Sequence, residues 1–189
     1  MGNHFLDAAL SYAQRGWLVI PVWPRSKFAW FAGWPRLATT DEQQIRRWWD
    51  EHPDANVGVL LGSASGIVAI DVDSEDGEAV LAEMSGGDMP ATVEKITPGG
   101  RRLIYAIPEG LEYEPLGLSL KDCNGDEMLR LQGKDEQMVM PPSVHPGKPE
   151  RSIPAGGTYR WAPNRSPDEI ELAVMPPWLV AAMSPAATP

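Results

Sequence analysis

The chain has a single cysteine, Cys123, among its 189 residues. One cysteine excludes an internal disulfide, and no neighbouring motif marks Cys123 as a metal ligand or a nucleophile. Long apolar runs are also missing, so the sequence predicts no membrane span. Residues 1–7 lack the basic start and the apolar stretch of a signal peptide. We therefore expect a cytoplasmic protein without membrane contacts.

Basic residues are scarce, because 16 Lys and Arg stand against 26 Asp and Glu and give a formal net charge of −10. This balance argues against a protein that holds nucleic acid by overall electrostatic attraction, which needs clustered Lys and Arg. A local basic groove remains open. Small basic clusters occur at Arg46-Arg47, at Arg101-Arg102 and at residues 148–151. Each of them taken alone is typical of solvated surface charge.

Helical and strand patterns are mixed along the chain, and strands predominate in its second half. Helices are expected at residues 5–16, 40–52, 77–84 and from 176 onward, and strands at residues 17–22, 56–61, 66–73, 92–96, 102–107, 127–132, 137–140 and 158–161. Thr40 is expected to cap the second helix, with Gln43 completing a capping box. The strands at 127–132 and 137–140 are expected to form a hairpin. The whole pattern predicts an α+β fold.

The strand at 66–73 ends in two carboxylates, Asp71 and Asp73, with one residue between them. Strand side chains alternate, so both are expected on the same face. Two like charges on a buried strand repel each other and lose hydration, and a divalent cation would offset both costs. A strand end whose aspartates cap the following loop explains the same spacing equally well.

A series of short segments carries the most specific pattern in the chain. They lie at residues 9–17, 21–24 with Lys27, 33–34, 38–41, 45–49, 55–59, 65–73, 97–100, 141–146 and 159–161. In this order the set resembles the bifunctional DNA primase/polymerase N-terminal domain, or prim-pol domain, of the archaeo-eukaryotic primase superfamily. The resemblance implies a primase-type catalytic core, with a mixed or antiparallel central sheet flanked by helices. It places the catalytic domain at residues 1–165, followed by a short helix and a linker tail at 166–189.

The same resemblance implies a nucleotidyltransferase that acts as a DNA primase and DNA-directed polymerase. Asp71 and Asp73 would be the catalytic metal ligands of a two-metal site holding Mg²⁺ or Mn²⁺. The implied partners are nucleoside triphosphates, a single-stranded DNA template and a downstream helicase domain or protein. The implied setting is the replication of a plasmid, phage or mobile element.

Three more residues match the family at positions that would bind the nucleotide. Lys27 lies in the Pro-rich loop, where a phosphate or template contact and a solvated lysine are equally good interpretations. Ser143 and His145 belong to the Pro-Pro-Ser-x-His segment and are expected to line the nucleotide site. A local role for both, capping the turn through hydrogen bonds, is the alternative.

Two positions depart from the family pattern. Arg102 stands where the family has a histidine that contacts phosphates, and an arginine there either binds the nucleotide as a phosphate clamp or is a sign of drift. Arg130 stands where the family has its third acid, and a cation would oppose metal binding. Asp126 or Glu127 would replace that acid if the strand register differs. An active polymerase and a catalytically degenerate module that binds nucleotide or single-stranded nucleic acid therefore remain alternatives.

Arg46 and Arg47 lie beside Trp48 and Trp49, a combination that suits phosphate contacts next to base stacking. At helical spacing, packing of the two tryptophans in the core is the favoured interpretation. The two arginines, together with Arg101, are the candidate contacts to nucleic acid.

Overall fold

The computed structural model describes residues 2–185. The chain forms two compact units, one made of Met1–Leu60 and Gln137–Arg160 and the other of Leu61–Glu136 and Trp161–Pro189. The predicted boundary at residues 165 and 166 stays a prediction. Residues 186–189, the last part of the predicted linker, lie outside the described residues.

The described residues form four α-helices and nine strands, which confirms the predicted α+β class. In chain order they are α1 His4–Gln14, β1 Val19–Val22, α2 Glu42–Glu51, β2 Asn56–Leu60, β3 Ile67–Val72, α3 Glu75–Ser85, β4 Val93–Thr97, β5 Gly100–Ala106, β6 Leu118–Lys121, β7 Glu127–Gln132, β8 Gln137–Met140, β9 Arg160–Trp161 and α4 Pro177–Ala182. Short 3₁₀ helices occupy Trp34–Arg36 and Pro149–Arg151. No helix within this range combines the length and hydropathy needed to cross a bilayer.

Side-chain oxygens fix the first turn of three helices by accepting hydrogen bonds from backbone N–H groups that have no partner within the helix. Asn3 caps α1 and Ser74 caps α3. The predicted cap of α2 is wrong by one residue, since Asp41 accepts the hydrogen bond from the backbone N–H of Gln44. Thr39 in turn accepts from the Asp41 N–H, so the chain enters the helix one residue later than expected.

The first unit contains a three-stranded antiparallel sheet in the order β1-β2-β8. Both β1 and β2 are buried along their whole length. Two helices of this unit contribute buried side chains to its core: Phe5, Ala9 and Tyr12 from α1, and Ile45, Trp48 and Trp49 from α2.

The second unit contains a six-stranded sheet in the order β6-β7-β3-β5-β4-β9. One face of this sheet carries apolar side chains such as Val68, Ile70 and Leu131, which form a core with Leu81 of α3 and Leu179 of α4. Since side chains alternate along a strand, the neighbouring positions, including Asp71, project from the other face.

The predicted hairpin of β7 and β8 is wrong, although the bounds of both strands are correct. β7 pairs with β3 and β6, whereas β8 pairs with β2. The four residues between them therefore connect two different sheets. The composition of residues 133–136 predicted a tight turn between paired strands. Instead, β7 pairs with β3 and β8 pairs with β2, both of which are distant in the sequence.

Candidate functional site

A row of polar side chains crosses the larger sheet at the middle of β3. Asp71 lies opposite Arg102 of β5 on one side and opposite Arg130 of β7 on the other. The row continues outward to Lys95 of β4 and Ser119 of β6. Residues directly opposite each other in antiparallel strands share a face, so these five residues lie on the face away from α3 and α4. The row contains three cations and one carboxylate.

Asp71 and Arg102 form a buried ion pair. A guanidinium nitrogen of Arg102 donates a hydrogen bond to Oδ2 of Asp71, and the two side chains keep only 6% and 12% of their exposed area. A charge in such a place needs an opposite charge, because burial removes most of its hydration. The contact therefore gives the buried carboxylate an opposite charge and fixes the guanidinium on the sheet.

Arg130 is more accessible, with 41% of its side chain exposed. It forms an ion pair with Glu136 and a second contact to Glu127, in which its Nη1 lies 3.9 Å from a carboxylate oxygen. At this exposure ion pairs stabilise a fold only weakly. The Arg130 guanidinium is thus a charge that a bound anion can reach.

Lys95 is a member of the row that the sequence patterns did not single out. Its side chain is completely buried, between Val93 and Thr97 on the same stripe of β4. The two-residue spacing in the sequence was a usable signal, because in a strand it places Lys95 on the same face as the apolar Val93. Lys95 is thus a buried basic side chain in register with Arg102.

Asp73 follows the end of β3 and is half-buried. The turn between β4 and β5 packs closely against this backbone. A Cβ added at Gly100 would lie 2.1 Å from the carbonyl oxygen of Val72 and 2.9 Å from Cα of Asp73. Only a glycine permits this approach, so the Gly-Gly turn fixes the path of the chain at Asp73.

Replacing Gly100 by alanine is expected to destabilise the fold by about 1 to 3 kcal/mol, because the new methyl group must displace backbone atoms rather than a flexible side chain. Urea unfolding monitored by tryptophan fluorescence measures the change. An unfolding midpoint equal to that of the unchanged protein would contradict the close packing of the turn on Asp73.

The predicted metal site requires about three oxygen ligands around the cations. Oδ2 of Asp71 is already engaged by Arg102, and Arg130 occupies the other neighbouring position. Across residues 2–185 no group of three or more His, Cys, Asp or Glu side chains is arranged to hold a metal ion. In the present arrangement these side chains do not complete a two-metal centre, and the metal roles of Asp71 and Asp73 stay predictions.

The two acids predicted as replacements for the third ligand have other partners. Glu127 accepts a hydrogen bond of 2.6 Å from the hydroxyl of Ser119 and lies near Arg130. Asp126 lies in the exposed turn before β7, where its backbone N–H and carbonyl both bond to Asp122. The roles of Glu127 and Asp126 as metal ligands stay predictions.

Arg101 projects from the opposite face of the sheet, since it lies opposite Val72 in the register of β3 and β5. It donates two hydrogen bonds of 2.6 and 2.7 Å to Glu78 and lies 3.4 Å from Glu94. The hydrogen bond from Arg101 lowers the pKa of Glu78 and raises that of Arg101 itself. Burial nearby raises the pKa of Tyr105 to about 12. The predicted contact of Arg101 with nucleic acid stays a prediction, and its charge is already paired.

Lys27, Ser143 and His145 belong to the first unit, whereas Asp71, Asp73, Arg102 and Arg130 belong to the second. Ser143 is fully buried, and its hydroxyl oxygen accepts a hydrogen bond of 2.9 Å from the Val57 N–H. His145 is 2% exposed, and its Nδ1 accepts from the Gly147 N–H at 2.9 Å. Lys27 is half-buried, and its carbonyl accepts from the Gln137 side chain. The nucleotide contacts of these three residues stay predictions.

On α2 the favoured interpretation of the tryptophans is confirmed, because Trp48 and Trp49 are 7% and 1% exposed. The indole N–H of Trp49 donates to the Ala55 carbonyl at 3.0 Å. The two arginines beside them differ. Arg46 is paired with Glu42 at 2.7 Å, whereas Arg47 donates to the neutral amide oxygen of Gln44 at 3.0 Å.

Comparison with known families adds one finding. The family model described as bifunctional DNA primase/polymerase, N-terminal, matches residues 9–178. The match covers most of the chain, so the chain belongs to this family, as its ordered motifs predicted. The family supports a function of DNA primase/polymerase type, and its members usually use divalent metals. No curated protein matches the chain.

Proposed function

Because the chain belongs to the prim-pol family, we propose that it binds the triphosphate group of a nucleoside triphosphate through Arg102 and Arg130. The observation that carries this function is the strand register, which sets one arginine on each side of Asp71. The family has a histidine and an acid at these two positions, and here both are cations. Two guanidinium groups at these positions suit an anion, which at Arg130 would replace Glu136 and Glu127 as the partner.

A planar guanidinium can donate two parallel hydrogen bonds to phosphate oxygens, and such charge-assisted bonds are stronger than neutral ones. Asp71 positions the Arg102 guanidinium by pairing with it, and the low exposure of that pair strengthens its electrostatic interactions. Arg130, being partly exposed, supplies a second guanidinium that phosphate oxygens can reach.

The direct test is calorimetric titration of the protein with ATP and dATP, each compared with the monophosphate and the nucleoside. Affinity is expected to rise from nucleoside to monophosphate to triphosphate, because the phosphates make the proposed contacts. Equal affinity for all three would overturn the role of the arginines, and the absence of binding by any of them would overturn the function itself.

A second candidate is template-directed nucleotidyl transfer from nucleoside triphosphates by a two-metal mechanism. The retained pair Asp71 and Asp73 at the end of β3, together with the family match over residues 9–178, favours it. The setting in plasmid, phage or mobile-element replication and the helicase partner belong to this candidate.

An extension assay separates the two candidates. Labelled nucleotides, a primed or unprimed single-stranded template, and Mg²⁺ or Mn²⁺ are incubated with the protein and with an Asp73→Asn variant. Product above the level of the variant establishes the second candidate. Nucleotide binding without such product, under either metal, supports the first.

A further inference from the structure

The segment between β1 and α2 differs in charge from the rest of this acidic chain. Residues 23–40 contain Arg25, Lys27 and Arg36 and no aspartate or glutamate. They also contain the aromatic residues Trp23, Phe28, Trp30, Phe31 and Trp34. Cations interleaved with aromatic rings are the composition of surfaces that bind single-stranded nucleic acid. The segment is therefore locally positive, although the net charge of the whole chain is −10.

This segment and α2 line an open pocket of about 530 Å³ within the first unit. Phe31, Arg36 and Leu37 line one side, and Arg47 and Trp48 of α2 line the other. The volume is in the range of pockets that hold a ligand of nucleotide size.

The apolar part of the pocket is centred on the aromatic ring of Phe31, which contacts Trp48. Phe31 is half-buried, and its ring centroid lies 5.9 Å from that of Trp48 at an interplanar angle of 39°. Trp48 is itself 7% exposed and anchored in the core of the unit, whereas Leu37 beside it is 46% exposed. Phe31 is thus held by a fixed partner, and its remaining exposed surface can receive a base by stacking.

The charged part of the pocket consists of two arginines that form no ion pair with any residue in the described range. Arg36 is exposed, and Arg47 is oriented by the neutral side chain of Gln44. The acid that lines the pocket, Asp41, accepts a hydrogen bond of 2.8 Å from the Gln44 N–H as the cap of α2. Arg46, one residue before Arg47, is paired with Glu42 and does not line the pocket.

We propose that this pocket binds single-stranded nucleic acid, with a base stacked on Phe31 and neighbouring phosphates contacted by Arg36 and Arg47. The inference extends the proposed function, since a nucleotide-binding domain of this family acts on a strand. An unpaired strand is favoured over a duplex because stacking on Phe31 needs an exposed base face. Trp23 and Phe28 of the same segment are also exposed, at 46% and 79%, but neither lines the pocket.

The test is fluorescence anisotropy of a labelled 20-nucleotide thymidine oligomer, titrated with the full chain at several salt concentrations. Phe31→Ala is expected to weaken binding about tenfold through the loss of one stacking contact. The double variant Arg36→Ala/Arg47→Ala is expected to weaken binding at low salt and to lower the logarithmic salt slope by about 1.4, because two phosphate contacts are removed. Both arginines are exposed, so this variant tests the pocket even if Phe31→Ala does not fold.

Arg15→Ala is the matched control, because Arg15 is an exposed arginine of the same unit that does not line the pocket, and it is expected to bind the oligomer within about twofold of the unchanged protein. Equal losses for Arg15→Ala and Arg47→Ala would overturn the pocket in favour of general surface charge. Unchanged affinity of the double arginine variant, or equal binding of a duplex of the same length, would also overturn it.

Nucleoside triphosphate titrations of the same variants separate the two proposals. If the pocket variants lose affinity for the oligomer but no nucleotide binds to the unchanged protein, the proposed function is overturned and the pocket stands. If nucleotide binds but affinity for the oligomer does not depend on the pocket residues, the pocket is overturned and the proposed function stands.

Discussion

Replacing Arg102 by alanine is expected to destabilise the protein by about 3 to 5 kcal/mol. The Asp71 side chain keeps only 6% of its exposed area, and the substitution removes the guanidinium that pairs with it. A buried carboxylate that loses such a partner keeps the cost of desolvation without the compensating attraction. Urea unfolding at pH 7, followed by circular dichroism, measures the loss.

Arg46→Ala provides the comparison, because it also deletes an arginine from an ion pair with a carboxylate. The side chains of Arg46 and Glu42 are 51% and 63% exposed, and an exposed pair of this kind contributes less than about 1 kcal/mol. Adding Asp71→Asn to Arg102→Ala is expected to recover part of the stability, since the amide needs no counter-charge. Equal small losses for Arg102→Ala and Arg46→Ala would contradict a buried, energetically important pair.

Local patterns in the sequence predicted most of the individual elements. The apolar stripe of the first helix and the apolar run before Asp71 gave α1 and β3 to within two residues at each end. These elements are decided by side chains close in sequence, whose periodicity is directly visible. The cap of α2 was misplaced because Thr40 and Asp41 are both good caps, and composition does not choose between neighbours.

Strand pairing was the part that local patterns could not predict. β7 and β8 were bounded correctly, but β3, which pairs with β7, and β2, which pairs with β8, lie far away in the sequence. β6 was missed because it is four residues long and only alternately half-buried. Its pairing with β7 nevertheless sets the edge of the sheet. The pairing of β3 with β7 and of β2 with β8 depends on the competition of many strands for partners, and no short sequence window contains that information.

The site depends on the same kind of information. The family pattern identified Arg102 and Arg130 as departures, but the sequence alone did not show whether Arg130, Asp126 or Glu127 faces Asp71. The register of β3 and β7 places Arg130 there. It follows that an arginine flanks Asp71 on each side, and this distinguishes the row from the acidic arrangement that the resemblance implies.

Reversing the charge at Arg130 is expected to have the largest effect on ligand binding. If the arginines hold the triphosphate, the affinity of the unchanged protein for ATP should differ by no more than about twofold between Mg²⁺ and EDTA. The reason is that charge-assisted hydrogen bonds from the chain take the place of metal–phosphate contacts. In EDTA, Arg130→Asp should lower this affinity at least about hundredfold, since one guanidinium is lost and a like charge faces the phosphates.

The same substitution tests whether the cation at Arg130 opposes metal binding beside Asp71. The new carboxylate would lie directly opposite Asp71, with Cβ atoms about 4.5 to 5.5 Å apart, and a divalent cation would relieve the repulsion between the two. We expect Mn²⁺ to raise the melting temperature of Arg130→Asp but not that of the unchanged protein. Arg46→Asp makes the same change in net charge on an exposed face of the other unit and should alter neither property. Strong dependence of ATP binding on Mg²⁺ in the unchanged protein, or near-normal ATP affinity of Arg130→Asp in EDTA, would show that Arg130 does not hold the phosphates.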